Sequence, residues 1–275
     1  MITGPGGSGG PSARRTPPGP PASSFARWTS PQAEGGPTLI VPVGSLEQHG
    51  PHLPLDTDSV IAVAAATSAA ELLTAGGEYV AVAPVVAYGA SGEHQDFAGT
   101  VSIGRDVLTA VLIEIGRSVG TWTTRLVFVN AHGGNGAAVR DAVRLLRAES
   151  RDVSWVAAGV PGGDAHAGHV ETSMMLHLRP ASVHMDRAVR GTGGAIEQLL
   201  PALREGGVRA VSPTGVLGDP RTADAQDGAR LCGLIAHDVA DRIRHGCVDD
   251  AGLLTAPARE TVASPQPPGV PAGSR

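Results

Sequence analysis

The sequence predicts an α/β fold in which a mainly parallel sheet is covered by helices on both faces. Between residues 36 and 250, apolar runs of strand length alternate with longer amphipathic stretches, which is typical of a parallel sheet. The composition agrees, because 41% of the 275 residues are apolar, as in an ordinary globular protein with a buried core. No internal repeat or linker interrupts this pattern, so we expect a single domain over residues 36–250.

The predicted strands and helices follow one another in a regular order. Short apolar runs predict strands at residues 38–45, 79–86, 125–130 and 153–160. Longer amphipathic stretches predict helices at residues 59–74, 105–120, 137–149, 170–178, 193–205 and 222–245. Asp58 stands where a capping residue would begin the first of these helices.

The two ends of the chain differ in composition from its middle. The first 35 residues and the last 14 are dominated by Gly, Pro and Ser and have no hydrophobic periodicity. Segments of this kind cannot bury enough apolar surface to fold. We therefore predict disordered tails at residues 1–35 and 251–275.

Composition and charge argue against several classes of function. The net charge is −5, from 21 basic and 26 acidic residues, and no basic cluster exceeds a pair of arginines, so we expect no nucleic-acid or membrane partner. The sequence contains no lysine, which excludes Schiff-base catalysis and a P-loop. The two cysteines, Cys232 and Cys247, suggest neither a metal cluster nor a disulfide scaffold, and a cytoplasmic location fits them best. We predict no signal peptide and no membrane span.

Potential metal ligands are concentrated directly after the first predicted strand. This stretch contains Glu47, His49, His52, Asp56 and Asp58. Open α/β sheets place their ligands at the carboxyl ends of the strands, where these residues would lie. Glu47 and His49 are two residues apart, and in an extended segment both side chains would project from the same face. Asp56 and Asp58 share that spacing.

A second candidate group follows the third predicted strand, where His132 lies in a glycine-rich turn before a helix. A phosphate cradle is the alternative, because glycines before a helix expose backbone N–H groups to anions. The three-glycine spacing is incomplete, however, with Val139 at the third position. The next predicted strand also does not end in the acidic residue that a ribose would need.

The third group, His166, His169 and Glu171, follows the fourth predicted strand. Glu, Asp and neutral His without thiolates suit Zn²⁺, Mn²⁺ or Fe²⁺. About five such ligands exceed what one catalytic ion with an open position needs, so we predict two ions that share a bridging carboxylate. Paired metals polarise a carbonyl and activate a water at neutral pH, which favours hydrolysis over redox chemistry.

Two further features are less specific. Isolated histidines are more often core or surface residues than ligands, and we interpret five of them in this way: His94, His177, His184, His237 and His245. The loop at residues 88–100 follows the second predicted strand. It is either one wall of the pocket or a simple connection, because loops at that edge often carry function but need not.

Three ordered motifs together resemble the creatininase family of amidohydrolases. They are Val-Pro-Val-Gly-Ser-x-Glu-Gln-His-Gly-Pro-His-Leu-Pro-x-x-Thr-Asp at 41–58, Asn-x-His-Gly-Gly-Asn at 130–135 and His-Ala-Gly-x-x-Glu-Thr-Ser at 166–173. The resemblance implies a three-layer αβα sandwich, frequent assembly as a hexamer and two divalent metal ions per subunit. It places the metal ligands at Glu47, His49, Asp58, His132 and Glu171, with Asp58 as the bridge.

The chain departs from creatininase itself at one ligand. Creatininase has a glutamate two residues after the histidine that matches His132, and this chain has Gly134 there. The resemblance to relatives of the Gly-Gly type moves that role to Glu171. His166 corresponds to a histidine that could pass a proton to the leaving nitrogen, so we expect His166 and Glu171 to be catalytic.

Three nearby side chains are expected to support the ligands rather than to bind metal. They are His52, Asp56 and His169, which would orient the ligating groups.

Finer similarities lie outside these motifs, at residues 88–100, 162–168 and 211–220. They resemble the mycofactocin-associated branch of the family, whose members are peptidases that remove a modified Val-Tyr dipeptide from the C-terminus of a ribosomally made precursor peptide. One alternative is an amidohydrolase of creatinine or another small cyclic amide. Another is a non-catalytic ligand-binding protein of the same fold, against which the complete ligand set argues.

Overall fold

A sheet of four parallel strands forms the centre of the computed structural model, which describes residues 25–256. The order across the sheet is β2-β1-β3-β4, and every neighbouring pair is parallel. The prediction of a parallel sheet is confirmed. The strands are β1 (Thr38–Val43), β2 (Val80–Val82), β3 (Arg125–Asn130) and β4 (Val153–Ala157).

Helices cover both faces of this sheet. One layer contains α2, α5 and α7, and the opposite layer contains α3 and α4. This arrangement confirms the expected three-layer αβα sandwich. The helices are α1 (Ser30–Ala33), α2 (Thr57–Ala75), α3 (Gly104–Val119), α4 (Gly136–Ala148), α5 (His169–Leu178), α6 (Ile196–Val211) and α7 (Ala225–His245).

Alternate strand residues build two separate cores, because successive side chains of a strand point to opposite faces. Ile40 and Val127 pack in the core that contains α2 and α7. Leu39 and Phe128 pack in the core that contains α3 and α4. Burying a side chain of this size stabilises the fold by about 1.5–3 kcal/mol, so the two cores hold the strand ends in fixed positions.

Helix α2 is the one described helix with the length and composition of a membrane span. Its most apolar 18-residue window is 56% buried within the protein. Ile61, Ala66 and Leu73 of this helix belong to the core beside the sheet. This burial is sufficient to account for the apolar composition of α2.

The predicted start of α2 is wrong. Asp58 was expected to cap the helix, but the helix begins at Thr57 and Asp56 occupies the capping position. The reason is a turn at Pro54, whose carbonyl oxygen accepts hydrogen bonds from both the backbone N–H and the hydroxyl of Thr57. Asp58 therefore lies in the first helical turn, where the positive end of the helix dipole favours a carboxylate.

Other predicted elements are correct in type but differ in extent. β2 is limited to three residues, although Val86 returns to form a parallel bridge with Val43. α6 begins later than predicted and continues to Val211, with a break at Gly207, whose φ is 69°. A break of this kind requires a left-handed backbone conformation that glycine adopts readily.

The folded part extends beyond both predicted domain limits. Phe25 stacks on Trp122 with ring centroids 5.2 Å apart, which anchors the chain well before residue 36. Near the other end, Leu254 is fully buried and its N–H donates to the carbonyl of Trp155 in β4. The remainder of the two predicted tails, residues 1–24 and 257–275, lies outside the described residues.

The strand order creates a crevice between β1 and β3. The chain leaves β1 toward β2 on one side, whereas it leaves β3 toward β4 on the other. At such a switch point, the connections diverge above the carboxyl ends of two adjacent strands and leave room for a ligand. The glycine-rich and acidic segments after β1 and β3 meet at this crevice.

Candidate metal centre

The five predicted ligands come together above the carboxyl ends of β1 and β3. Glu47 and His49 lie in the segment after β1, and His132 lies just beyond β3. Asp58 and Glu171 project from the first turns of α2 and α5. All of these residues are buried except Glu171, which is half-buried.

The ligands divide into two overlapping sets. Glu47, Asp58 and His132 offer ligand atoms within 4.8 Å of one another, and so do His49, Asp58 and Glu171. Asp58 belongs to both sets. Its Oδ1 lies 3.1 Å from His49 Nε2 and its Oδ2 lies 3.5 Å from His132 Nδ1, so its two oxygens face different halves of the site.

Several buried polar atoms in this cluster have no hydrogen-bond partner within residues 25–256. They are both carboxylate oxygens of Glu47, Oδ2 of Asp58 and Nε2 of His132. Burying such groups without a partner is costly, and a bound cation would satisfy them. Carboxylate and imidazole donors without thiolates are the ligands of borderline and hard divalent ions. The residues present therefore fit a divalent-metal site.

The cluster strongly perturbs the pKa values of its members. Burial lowers the pKa of His49, but the adjacent carboxylate of Asp58 outweighs burial and raises the pKa to about 10. Burial also lowers the pKa of His132. The carboxylate of Glu47 outweighs this effect and raises the pKa to about 10. Burial raises the pKa of Glu47 and of Glu171 to about 7. Without an ion the site therefore holds protons on groups that a metal would need deprotonated.

Backbone and amide groups fix the orientation of the ligands. His49 Nδ1 lies 3.1 Å from the backbone oxygen of Glu47, so it donates there and leaves Nε2 directed at the site. The amide of Asn130 donates to the backbone oxygen of His132. Asn135 donates to the backbone oxygen of Gly44 at the end of β1. Sequence reasoning included both asparagines in a motif but assigned them no role.

His94, interpreted from the sequence as a core or surface histidine, is buried beside the predicted ligands. Its Nε2 lies 3.2 Å from Oε1 of Glu47, and its ring centroid is 4.5 Å from that of His166. The side-chain amide of Gln48 lies 2.8 Å from Nδ1 of His94 and donates there. His94 therefore contacts a predicted metal ligand. The residue lies 46 positions from its partner Gln48, which no local spacing rule could reveal.

His166, the predicted proton shuttle, also lies in the cluster. Its Nε2 is 2.9 Å from the backbone oxygen of Gln48, which can only accept, so this nitrogen carries a hydrogen. Nδ1 then holds the free lone pair and lies 3.8 Å from Oε1 of Glu47. Burial and the neighbouring His49 lower the pKa of His166 to about 3, which keeps the ring neutral. Glu47, His49 and His166 form a third set of close potential ligands.

Of the three predicted supporting residues, only His52 lies behind the ligands. Its Nε2 is 2.8 Å from the hydroxyl of Thr172, which directly follows Glu171. The predictions for the other two are wrong. The start of α2 turns Asp56 toward the surface, where it pairs with Arg179.

His169 is likewise directed away from the ligands. It lies at the start of α5, with its Nε2 2.8 Å from Asp227 and its Nδ1 3.1 Å from the hydroxyl of Thr222. These contacts join α5 to the region around α7, so the role of His169 is to hold two elements together.

Two cavities adjoin the cluster. The larger, about 880 Å³, reaches Glu93, His132 and His166 and has apolar side chains of α6 on its outer wall. The smaller, about 290 Å³, reaches His166 and Glu171. Residues 92–94 line the larger cavity, so the loop at residues 88–100 forms part of the pocket wall, the first of its two predicted alternatives. A third cavity, along α2, contains none of the ligands.

The chain is similar to known proteins over most of its described length. The family model Creatininase, described as creatinine amidohydrolase, matches residues 26–243. A protein of Mycobacterium ulcerans named mycofactocin precursor peptide peptidase is 53% identical over 223 residues, which cover 80% of this chain and 89% of that protein.

Solved creatininases have the same fold. A structure named "Creatininase Mn" superposes with a TM-score of 0.65 at 26% identity and covers 80% of this chain and 97% of its own. A mutant creatininase of "Zn-Zn type" superposes with a TM-score of 0.64 at 26% identity and covers 80% and 96%. Both names refer to divalent metals, which agrees with the carboxylate and imidazole ligands of this cluster.

Proposed function

This chain belongs to the creatininase family and is a hydrolase of C–N bonds, and from that premise we propose that it is a metal-dependent peptidase. Its substrate in this proposal is the mycofactocin precursor peptide, from which it releases the modified C-terminal Val-Tyr dipeptide. The similarity to a protein named mycofactocin precursor peptide peptidase supports this choice of substrate. The observation that carries the chemistry is the position of Asp58, whose two oxygens face His49 and His132.

The proposed site holds two divalent ions, which are Zn²⁺, Fe²⁺ or Mn²⁺. Glu47 and His132 would hold one ion, His49 and Glu171 the other, and Asp58 both. When bound, such ions polarise the scissile carbonyl and lower the pKa of a water. Burial of the proposed ligands supports this chemistry, because electrostatic interactions between an ion and its substrate are stronger in a site shielded from solvent.

His166 is the proposed proton carrier. Because its Nε2–H is held by the backbone oxygen of Gln48, Nδ1 is the atom that would accept a proton from the attacking water and deliver it to the leaving nitrogen. Its position supports this role, since Nδ1 lies 3.8 Å from Oε1 of Glu47 within the ligand cluster. Glu171 is held in place by the N–H of Ala167, 2.6 Å from its Oε2, and this contact fixes the carboxylate beside His49.

The proposal also covers location and assembly. Both cysteines are free, as expected in the reducing cytoplasm, where we place the protein. Assembly as a homo-oligomer, a hexamer by family resemblance, completes the proposal.

The decisive experiment offers the metal-loaded protein two substrates separately. These are the precursor peptide with its modified C-terminus and creatinine, and mass spectrometry follows the products. We expect release of the modified dipeptide from the peptide and no turnover of creatinine. Asp58→Ala serves as the inactive control. Turnover of creatinine alone would contradict the proposed peptidase function.

A further inference from the structure

Glu93 is an acidic side chain beside the candidate metal centre that none of the roles above uses. Its Oε1 lies 3.5 Å from Nε2 of His132, and 31% of the side chain is exposed. Within residues 25–256, its carboxylate has no other ion pair or hydrogen bond. The carboxylate therefore has free acceptor capacity directly at the edge of the site.

Two glycines from other elements leave the space that Glu93 occupies. A Cβ atom at Gly134 would collide with Oε1 of Glu93 and Nε2 of His132. A Cβ atom at Gly207, in the break of α6, would lie 3.0 Å from the backbone oxygen of Glu93. One glycine makes room for the carboxylate and the other for the backbone that carries it, so the position of Glu93 is built into the fold.

Glu93 also faces the larger cavity. Among the described residues that line this cavity, it is the one carboxylate. Arg140 and Arg204 also line it, and arginine side chains can only donate hydrogen bonds. A peptide bound in this cavity brings backbone N–H groups, and each that is buried without an acceptor costs binding energy. Glu93 is placed to accept from such a group.

We propose that Glu93 is a substrate-positioning residue that accepts a hydrogen bond from a backbone N–H of the bound peptide close to the scissile amide. Gly134 must lack a side chain for this carboxylate to reach its place. The inference rests on the proposed peptidase function and names the part of the site that recognises the peptide backbone. Glu93 holds the substrate in register with the metal centre and is not one of the metal ligands.

The first test compares Glu93→Ala, Glu93→Gln and the wild type on the modified precursor peptide. Because a hydrogen bond to a charged group is strong, we expect Glu93→Ala to lower kcat/KM about 10- to 100-fold. Glu93→Gln keeps an oxygen acceptor and should recover part of this loss. Bound metal, measured by elemental analysis, should equal that of the wild type in both variants. Glu197→Ala, an exposed acidic position on α6, is the matched control and should cleave normally.

The second test removes the donor from the substrate. Peptides are made with a single N-methyl group at each backbone nitrogen flanking the scissile bond. The wild type should lose about 10- to 100-fold on one analogue, whereas Glu93→Ala should cleave that analogue as well as it cleaves the unmethylated peptide.

The outcomes separate this inference from the proposed function. If the metal-loaded wild type leaves the precursor peptide intact, the proposed function fails and the inference fails with it. If the wild type cleaves the peptide and Glu93→Ala cleaves it equally well, the inference alone is overturned. Loss of bound metal in Glu93→Ala, or equal N-methyl penalties in Glu93→Ala and the wild type, would also overturn it.

Discussion

At the scale of single residues, Asp58 is the group on which the proposed site depends most. Its two oxygens face His49 and His132 separately, so removing it affects both halves of the site. We predict that Asp58→Ala removes most of the bound metal, whereas Glu171→Gln removes about half, because Glu171 belongs to one of the two principal ligand sets. Elemental analysis of the purified variants measures this directly.

A matched control lies two residues earlier in the chain. Asp56 is also a carboxylate at the start of α2, but it pairs with Arg179 at the surface. Asp56→Ala should therefore keep its full metal content. Equal metal loss in the Asp56 and Asp58 variants would refute the assignment of the ligands.

Metal affinity should depend on pH, because protons and metal ions compete for the same ligand atoms. Asp58 and Glu47 raise the pKa values of His49 and His132 to about 10, so both imidazoles are protonated at neutral pH in the metal-free site. Both must lose a proton to bind metal. Affinity should therefore rise with pH below about 10, by up to about tenfold per proton released and per pH unit.

Calorimetry can count these protons. Titration of the chelated protein with Zn²⁺ in two buffers of different ionisation enthalpy gives the number released at pH 7.5. The expected release is at least one proton. Identical heats in the two buffers, after correction for zinc–buffer binding, would show that none is released and would contradict the prediction.

At the scale of elements, Asn135 joins three segments that carry site residues. Its amide nitrogen donates to the backbone oxygen of Gly44 at the end of β1 and to Oδ1 of Asn130 at the end of β3. Its oxygen accepts from the backbone N–H of Ala90 in the loop that holds Glu93. Asn135 is fully buried, so each partner would lose its bond without gaining water.

We predict that Asn135→Ala destabilises the protein by about 3 kcal/mol, since several buried polar groups lose their partner. In a domain of this size, that corresponds to a fall of about 6–12 °C in melting temperature. Thr109→Ala is the control, because its hydroxyl bonds to Arg105 within the exposed face of α3, and its effect should stay below about 0.5 kcal/mol. Calorimetric unfolding measures both. An unchanged melting temperature in Asn135→Ala would show that these bonds are not needed.

At the scale of the whole molecule, the sequence was informative wherever a local pattern determines structure. The alternation of apolar and amphipathic segments predicted the parallel sheet and its two helical layers, because burial on both faces requires it. The same pattern placed Glu47, His49 and His132 at strand ends. It could not give the path of the chain just before Asp58, where a turn at Pro54 rather than a capping carboxylate starts the helix.

Long-range contacts were beyond the reach of sequence patterns. His94 and Glu93 lie in a loop whose composition suited either a wall or a connection. Their proximity to Glu47 and His132 follows from the packing of that loop against the ends of β1 and β3. Gly134 carried a signal, since a glycine stands where creatininase has a glutamate, but the side chain that fills the space comes from another segment.

Because the predicted ligands come from distant parts of the chain, we predict that metal binding stabilises the entire domain. The predicted ligands come from the ends of β1 and β3 and from the first turns of α2 and α5, so bound ions would cross-link four elements. An ion that binds the folded state alone and is present at about 100 times its Kd stabilises that state by about 2.7 kcal/mol. Removal of metal with a chelator should therefore lower the melting temperature by about 5–10 °C. Restoring Zn²⁺ or Mn²⁺ should reverse the change in the wild type but not in Asp58→Ala. Equal melting temperatures for the metal-loaded and chelated wild type would show that the ligand cluster is held together without ions.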